Sequence, residues 1–179
     1  MRITISGHSS GIGKALAKVY SDQGHEIVGL SRRDGNNIRS LHKIMHLITP
    51  SDMFINNAQS GFGQAELLEA VWNEWKGDET KSIINISTMM TLGSYHPIDD
   101  QTYSAYVVQK KALEQTHWQL RQLSLYPSMV LVKPGAVATQ PGNTVEEGYA
   151  DVDVWANGLF SILNVHPLLR VAEVSLGPY

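Results

Sequence analysis

Cysteine is absent from the 179 residues. That excludes disulfides, thiolate metal sites and a cysteine nucleophile, and it fits a reducing compartment. No apolar run approaches the roughly 20 residues of a membrane helix. Charge of either sign is scarce: 14 Lys+Arg stand against 17 Asp+Glu, for a net charge of -3. This balance gives no electrostatic reason for nucleic acid or an acidic membrane as a partner. Repeats and low-complexity linkers are missing too. Met1 to Ser6 reads as a strand feeding a glycine turn rather than as a signal peptide. The expectation is a cytoplasmic protein with one domain over 1–179, large enough to hide roughly 70% of its unfolded surface.

Strand-like and helix-like runs alternate along the chain. Ile3–Ser6, Glu26–Leu30, Met53–Asn56, Ser82–Ser87, Met129–Lys133 and Leu169–Ser175 are short runs rich in Ile, Val and Leu. Between them, Ser10–Gln23, Asn36–Met45, Ala65–Trp75, Gln101–Leu123 and Val152–Leu163 carry helical patterns, the second only weakly. Such alternation predicts an α/β protein: a three-layer, doubly wound parallel sheet (Rossmann fold) of about six strands.

The chemistry begins between the first strand and the first helix. Gly7-His8-Ser9-Ser10-Gly11-Ile12-Gly13 spaces three glycines as Gly-x-x-x-Gly-x-Gly. Gly7 permits a tight turn, and Gly11 and Gly13 let the backbone approach a pyrophosphate closely. The helix amino terminus adds free N–H groups and a partial positive charge, and Ser9 and Ser10 add hydroxyl donors. The second strand ends in Ser31-Arg32-Arg33, with no acid before Asp34. An NAD(H) site commonly has an acid here for the ribose hydroxyl. Two guanidinium forks instead suit a 2′-phosphate, so NADP(H) is preferred over NAD(H). The plainer alternative is a pair of solvated loop arginines.

Tyr106 and Lys110 lie four apart on the long predicted helix and share a face. A lysine ammonium near a phenol favours phenolate, which equips the tyrosine to exchange a proton with a carbonyl or carbinol while a nicotinamide exchanges hydride. Tyr103 is the weaker candidate because Val107, not a lysine, follows it by four. Lys111 points about 100° away from Lys110.

Read together, these segments resemble the short-chain dehydrogenase/reductase family. Gly7 to Gly13, isoleucine included, is similar to its cofactor loop. Asn56-Asn57-Ala58-Gln59 is similar to its Asn-Asn-Ala-Gly segment, with Gln59 in place of glycine. Asn85-Ile86-Ser87-Thr88 resembles the strand end bearing its catalytic serine. That register falls on Thr88, yet the stretch from Thr88 to Tyr106 is longer than the family's usual spacing, and Ser87 stays a candidate. Pro134-Gly135-Ala136-Val137-Ala138-Thr139 resembles the segment that contacts the nicotinamide carboxamide and phosphates. The resemblance implies cofactor contacts from Asn57, Ala58, Pro134, Gly135, Val137 and Thr139, and from Lys110 to the nicotinamide ribose. It implies an oxidoreductase acting on a small carbonyl or alcohol, as a homodimer or homotetramer.

The chain is short for that family. Arg33 to Asp52 has no room for the usual helix, strand and acidic turn, and Ala58 to Ser82 holds one helix. An asparagine that holds a water beside the lysine has no clear counterpart; Asn73 matches in type but not in spacing. The lid region, Gln140–Asp151, is brief. These losses keep a second function open, a dinucleotide sensor without turnover. A purely structural module would leave the glycine loop unexplained. His42 and His46 are four apart but lack a third metal ligand, so no metal is expected. Tyr95-His96-Pro97 reads as a turn, and Trp72, Trp75 and Trp118 as core or interface.

Overall fold

The computed structural model describes residues 1–93, 101–140, 142–165 and 170–178, without the side chains of 101–103. Tyr95, His96, Pro97 and Leu169, and the Tyr103 side chain, fall outside the described residues. Among the described residues, six strands, β1 (Arg2–Ser6), β2 (Glu26–Leu30), β3 (Met53–Asn56), β4 (Ser82–Ile86), β5 (Ser128–Pro134) and β6 (Glu173–Leu176), alternate with five helices. These are α1 (Gly11–Asp22), α2 (Leu41–Ile48), α3 (Gly63–Trp75), α4 (Gln101–Leu123) and α5 (Val152–Leu163). All strand pairs are parallel, in the order β2-β1-β3-β4-β5-β6. The doubly wound sheet expected from the sequence is therefore present.

Strand alternation sorts the side chains to two cores. Ile3, Ile5, Ile55, Ile84, Ile86 and Val132 meet α1 and α5 on one face, through Leu16, Val19, Tyr20, Trp155 and Leu159. Phe54, Ile83 and Met129 meet the other helices, through Ile44, Ile48, Leu67, Leu68, Trp72, Trp75 and Leu113. On that second face β1 presents Thr4, whose hydroxyl bonds Ser51 Oγ at 2.7 Å. A buried hydroxyl so paired costs little.

The winding reverses at β1. From β1 the chain moves outward to β2, then crosses back through α2 to lay β3 on β1's other side. Ser6 pairs level with Leu30, Ile5 with Ile55, and Asn56 with Asn85, so the carboxyl ends of β1 to β4 finish at one edge. A crevice outside that edge, at the reversal, is where open α/β sheets take ligands.

Two elements differ from the sequence expectation. The second helix starts at Leu41 rather than Asn36, because residues 36–40 are held in turns: Asn36 N–H bonds Ser31 O, Ser40 N–H bonds Asn37 O, and Arg39 N–H bonds Asn37 Oδ1. Asparagine side chains compete with helix in this way. The last strand runs Glu173–Leu176 rather than Leu169–Ser175, set by pairing of Leu131 to Pro134 with Glu173 to Leu176. Short 3-10 turns at Arg32–Asp34 and Met89–Leu92 were not legible beforehand.

The packing of α5 gives a direct stability test. Leu159 is buried between α1 and the sheet, whereas Val154 on the same helix is exposed. Leu159→Ala should cost about 2–5 kcal/mol in chemical denaturation, and Val154→Ala no more than about 0.5 kcal/mol. Equal effects would contradict the assignment of the α5 inner face.

Candidate active site

The glycine loop is held from both sides. Gly7 N–H donates to Leu30 O at 2.7 Å, tying the loop to the end of β2. Asn57 Nδ2 donates to Ser6 O at 3.0 Å, and the N–H groups of Asn57 and Ala58 donate to Ser6 Oγ at 2.9 and 3.0 Å. Gly7 has φ +74°, a conformation side chains rarely adopt. A Cβ on Gly13 would sit 2.2 Å from Gly7 O and 2.6 Å from Asn57 Nδ2. Only glycine allows the helix start to lie this close to the turn. Ser10, the α1 N-cap, makes no side-chain capping bond, and the first turn holds no acid. The N–H groups at this helix end remain available to an anion.

Above the loop lies a cleft of about 420 Å³. Gly7, Ser9 and Ser10 form its floor, Ser31, Arg32 and Arg33 one wall, and Asn57, Ala58 and Gln59 the other. Arg32 and Arg33 are exposed, and no described carboxylate pairs with either. Asp34 is drawn aside: Ser31 Oγ donates to its Oδ2 at 2.6 Å, and His8 Nε2 lies 3.9 Å from the same oxygen. These features fit an elongated anionic ligand such as a dinucleotide.

Past the end of β4 stand the titratable groups. The Thr88 hydroxyl lies beside Tyr106, close enough to influence its phenol. Burial pushes the Tyr106 phenol up, and the neighbouring Thr88 hydroxyl opposes this. Lys110 lies below, its ammonium 5.6 Å from the Tyr106 ring centre. It is 3% exposed and donates to Gln64 Oε1 at 2.9 Å and Ile86 O at 2.8 Å. Burial brings it down to about 7, against the charge of Glu114 one turn further on.

Ser87 points elsewhere. Its hydroxyl donates to Glu114 Oε1, which also accepts from Thr91 Oγ1 at 2.7 Å. Glu114 Oε2 lies 3.2 Å from Lys133, and Lys133 lies 2.8 Å from Glu173. Of the two candidate hydroxyls, Thr88 therefore adjoins Tyr106. Beneath runs a second chain: Asn56 Nδ2 donates to Asn85 Oδ1 at 3.0 Å, and Asn85 Nδ2 lies 3.1 Å from His117 Nδ1.

Several predicted residues are near the cleft without lining it. Ile12 and Val137 pack into the α1/α5 core. Gly135 N–H bonds Leu176 O at 2.9 Å, joining the end of β5 to β6, and Pro134 closes that strand. Thr139 overhangs Gly11, whose added Cβ would meet Thr139 Cβ at 3.2 Å. Lys111, His42 and His46 are exposed. Gln64 escaped the sequence reading. Its signal is positional: with Leu67, Leu68, Val71, Trp72 and Trp75 it makes one buried stripe along α3, and it is the polar member.

No protein-family model matches the chain. A curated relative, the 3-ketodihydrosphingosine reductase of Bacteroides thetaiotaomicron, is 35% identical over 80 residues, covering 35% of this chain. The match spans 30% of that relative's length. Solved structures cover far more. A short-chain dehydrogenase from Burkholderia cenocepacia in complex with NADP superposes with TM-score 0.78 at 16% identity, over 98% of this chain and 87% of its own. An alcohol dehydrogenase from Thermococcus sibiricus with 5-hydroxy-NADP gives 0.73 at 18%, over 99% and 96%. A short-chain dehydrogenase from Leptospira borgpetersenii with bound NAD+ gives 0.70 at 14%, over 98% and 91%. The resemblance carried by the motifs thus extends to the whole fold of the short-chain dehydrogenases/reductases.

Two outcomes test this geometry. Gly13→Ala should weaken dinucleotide binding, read by nicotinamide fluorescence, and lower stability; a silent substitution would contradict the close packing on Gly7 and Asn57. His117 is held down at about 4 by burial, then by the charges of Arg121 and Lys133. Its unfolded value is near 6.5, so its contribution is complete above that pH and is lost as pH falls toward 4. The loss should reach at most about 3 kcal/mol. His117→Gln should flatten that limb of the stability-against-pH curve.

Proposed function

We propose that this protein is an NADP(H)-dependent oxidoreductase of the short-chain dehydrogenase/reductase type, interconverting a small carbonyl compound and its secondary alcohol in the cytoplasm. The observation that carries the reading is that the group of Tyr106, Thr88 and Lys110, past the end of β4, and the cleft lined by Gly7, Ser9 and Ser10 stand at the same carboxyl edge of the sheet. Gly7, Ser9, Ser10, Gly11, Gly13, Asn57 and Ala58 would hold the dinucleotide, with Thr139 over the loop. Ser31, Arg32 and Arg33 would take the 2′-phosphate. The NADP complex of the Burkholderia protein and the 5-hydroxy-NADP complex of the Thermococcus protein support that choice, and the NAD+ complex of the Leptospira protein is the reason to test it.

The bound cofactor supplies hydride to the carbonyl carbon in reduction and accepts it in oxidation. In reduction, Tyr106 gives its phenolic proton to the carbonyl oxygen. A half-buried phenol with a raised pKa is protonated at neutral pH and is the right form for that donation. The Thr88 hydroxyl orients the same oxygen. The Lys110 ammonium stabilises the phenolate left on Tyr106. Because Lys110 is charged below about 7 and neutral above it, the reduction rate should fall as pH rises through that value.

Arg32→Ala with Arg33→Ala should weaken NADPH binding by about 10–100-fold, the loss of charge-assisted bonds, and leave NADH unchanged. Equal weakening of both would remove the NADP(H) preference. Tyr106→Phe should bind NADPH normally yet reduce no ketone or aldehyde in a panel. The panel should include 3-ketodihydrosphingosine, given the curated relative's name. A second reading, a sensor that binds without turnover, draws on the Lys110 ammonium being engaged by Gln64 and Ile86 O. Tight NADPH binding by the wild type with no turnover on the panel would favour it.

A further inference from the structure

Lys110 is enclosed, and among the described residues no carboxylate lies within ion-pair distance of it. Its fixed partners are neutral oxygens, one from Gln64 and one from the backbone of β4. Gln64 is itself 3% exposed. Its Nε2 donates to Asn56 O at 2.7 Å and to Ile86 O at 3.0 Å, the last carbonyls of β3 and β4. Both amide hydrogens are therefore committed to backbone. Turning the amide over would set oxygen against two carbonyls and NH2 against an ammonium. The two strand ends key Gln64 Oε1 toward Lys110 in a single orientation. If Gln64 only tied β3 to β4, its Nε2 would suffice. The aimed Oε1 is the additional feature, and it comes from α3, a different element from the tyrosine and lysine.

We propose that Gln64 is the positioning residue for Lys110: a keyed, neutral acceptor that holds the ammonium in place of a counter-charge beneath Tyr106. The catalytic consequence rests on the reductase reading above; the clamp itself does not. A neutral acceptor orients the lysine without fixing its charge, so the ammonium can lose its proton near neutrality. A carboxylate at the same place would lock it charged. Among the described residues, the groups that face Lys110 are Tyr106 and Glu114 on α4, Gln64 on α3 and the Ile86 carbonyl of β4. Glu114 is in turn engaged by Ser87, Thr91 and Lys133, and Lys133 by Glu173. His117 lies two turns further along α4, bonded to Asn85.

NMR of the full chain reads this without turnover. In the wild type, the Gln64 side-chain amide should titrate together with the Lys110 ε-carbon, with one midpoint near 7. Lys110→Met should flatten the Gln64 response. Gln64→Glu should move the Lys110 midpoint up by at least tenfold in proton affinity, and Gln64→Met should move it down. The wild-type and Lys110→Met arms stand even if the Gln64 variants fail to fold. A Gln64 amide indifferent to pH between 5 and 9, or a Lys110 midpoint unmoved in folded Gln64→Glu and Gln64→Met, overturns the proposal. Where turnover exists, Gln64→Met should lower kcat with KM little changed and shift the pH limb with the NMR midpoint. Coupled titration in a wild type that turns over nothing would uphold the clamp and sink the reductase reading instead.

Discussion

The contact between Asn57 and the glycine loop sets the geometry of the whole carboxyl edge. Asn57 and Ala58 close onto Ser6, while Gly7 closes onto Leu30, so the ends of β1, β2 and β3 are laced together through one residue pair. The lacing leaves space for nothing larger than hydrogen at Gly13. It brings Ser9 and Ser10, which lead into the start of α1, to the cleft. Loosening this knot would separate that helix end from the arginine wall and from Asn57. The fold otherwise supports it cheaply, since the two cores are ordinary apolar packing on either face of the sheet.

Beside the knot, the polar groups under the catalytic candidates divide into two systems with different charge. Around Glu114, the Lys133 ammonium is shared with Glu173, and the hydroxyls of Ser87 and Thr91 donate to the other carboxylate oxygen of Glu114. Around Lys110, the partners are neutral. Burial disfavours a charge without a counter-charge, which makes Lys110 titratable near neutrality. The same helix thus carries a stiff ionic anchor and, one turn away, a proton-exchangeable lysine. The 3-10 turn at Met89–Leu92 is pinned to the anchor through Thr91 and capped by Thr88, so Thr88 is oriented from both directions.

The parts legible in the sequence are those where backbone geometry dictates residue type. The glycine loop, the Asn57 turn and the alternation of strands and helices belong to this class, as does the i, i+4 relation of Tyr106 to Lys110. Choosing between Ser87 and Thr88 required knowing where β4 stops. Ser87 lies one residue beyond Ile86 and faces Glu114, whereas Thr88 begins the next turn and faces Tyr106. Gln64 was hidden for a different reason: a helical glutamine matches no motif, and its meaning comes from the strand ends that key its amide. Ile12 and Val137 belong to the motifs yet serve the core, which shows that a matched pattern mixes packing positions with contact positions.

The central claim is that one cleft takes a dinucleotide so that its nicotinamide meets Tyr106. A crystal structure of the protein with NADPH tests it most directly. The account predicts pyrophosphate over the start of α1, the 2′-phosphate against Arg32 and Arg33, and the nicotinamide beside Tyr106, Lys110 and Thr88. A dinucleotide bound elsewhere, or with its nicotinamide turned away from Tyr106, would contradict it.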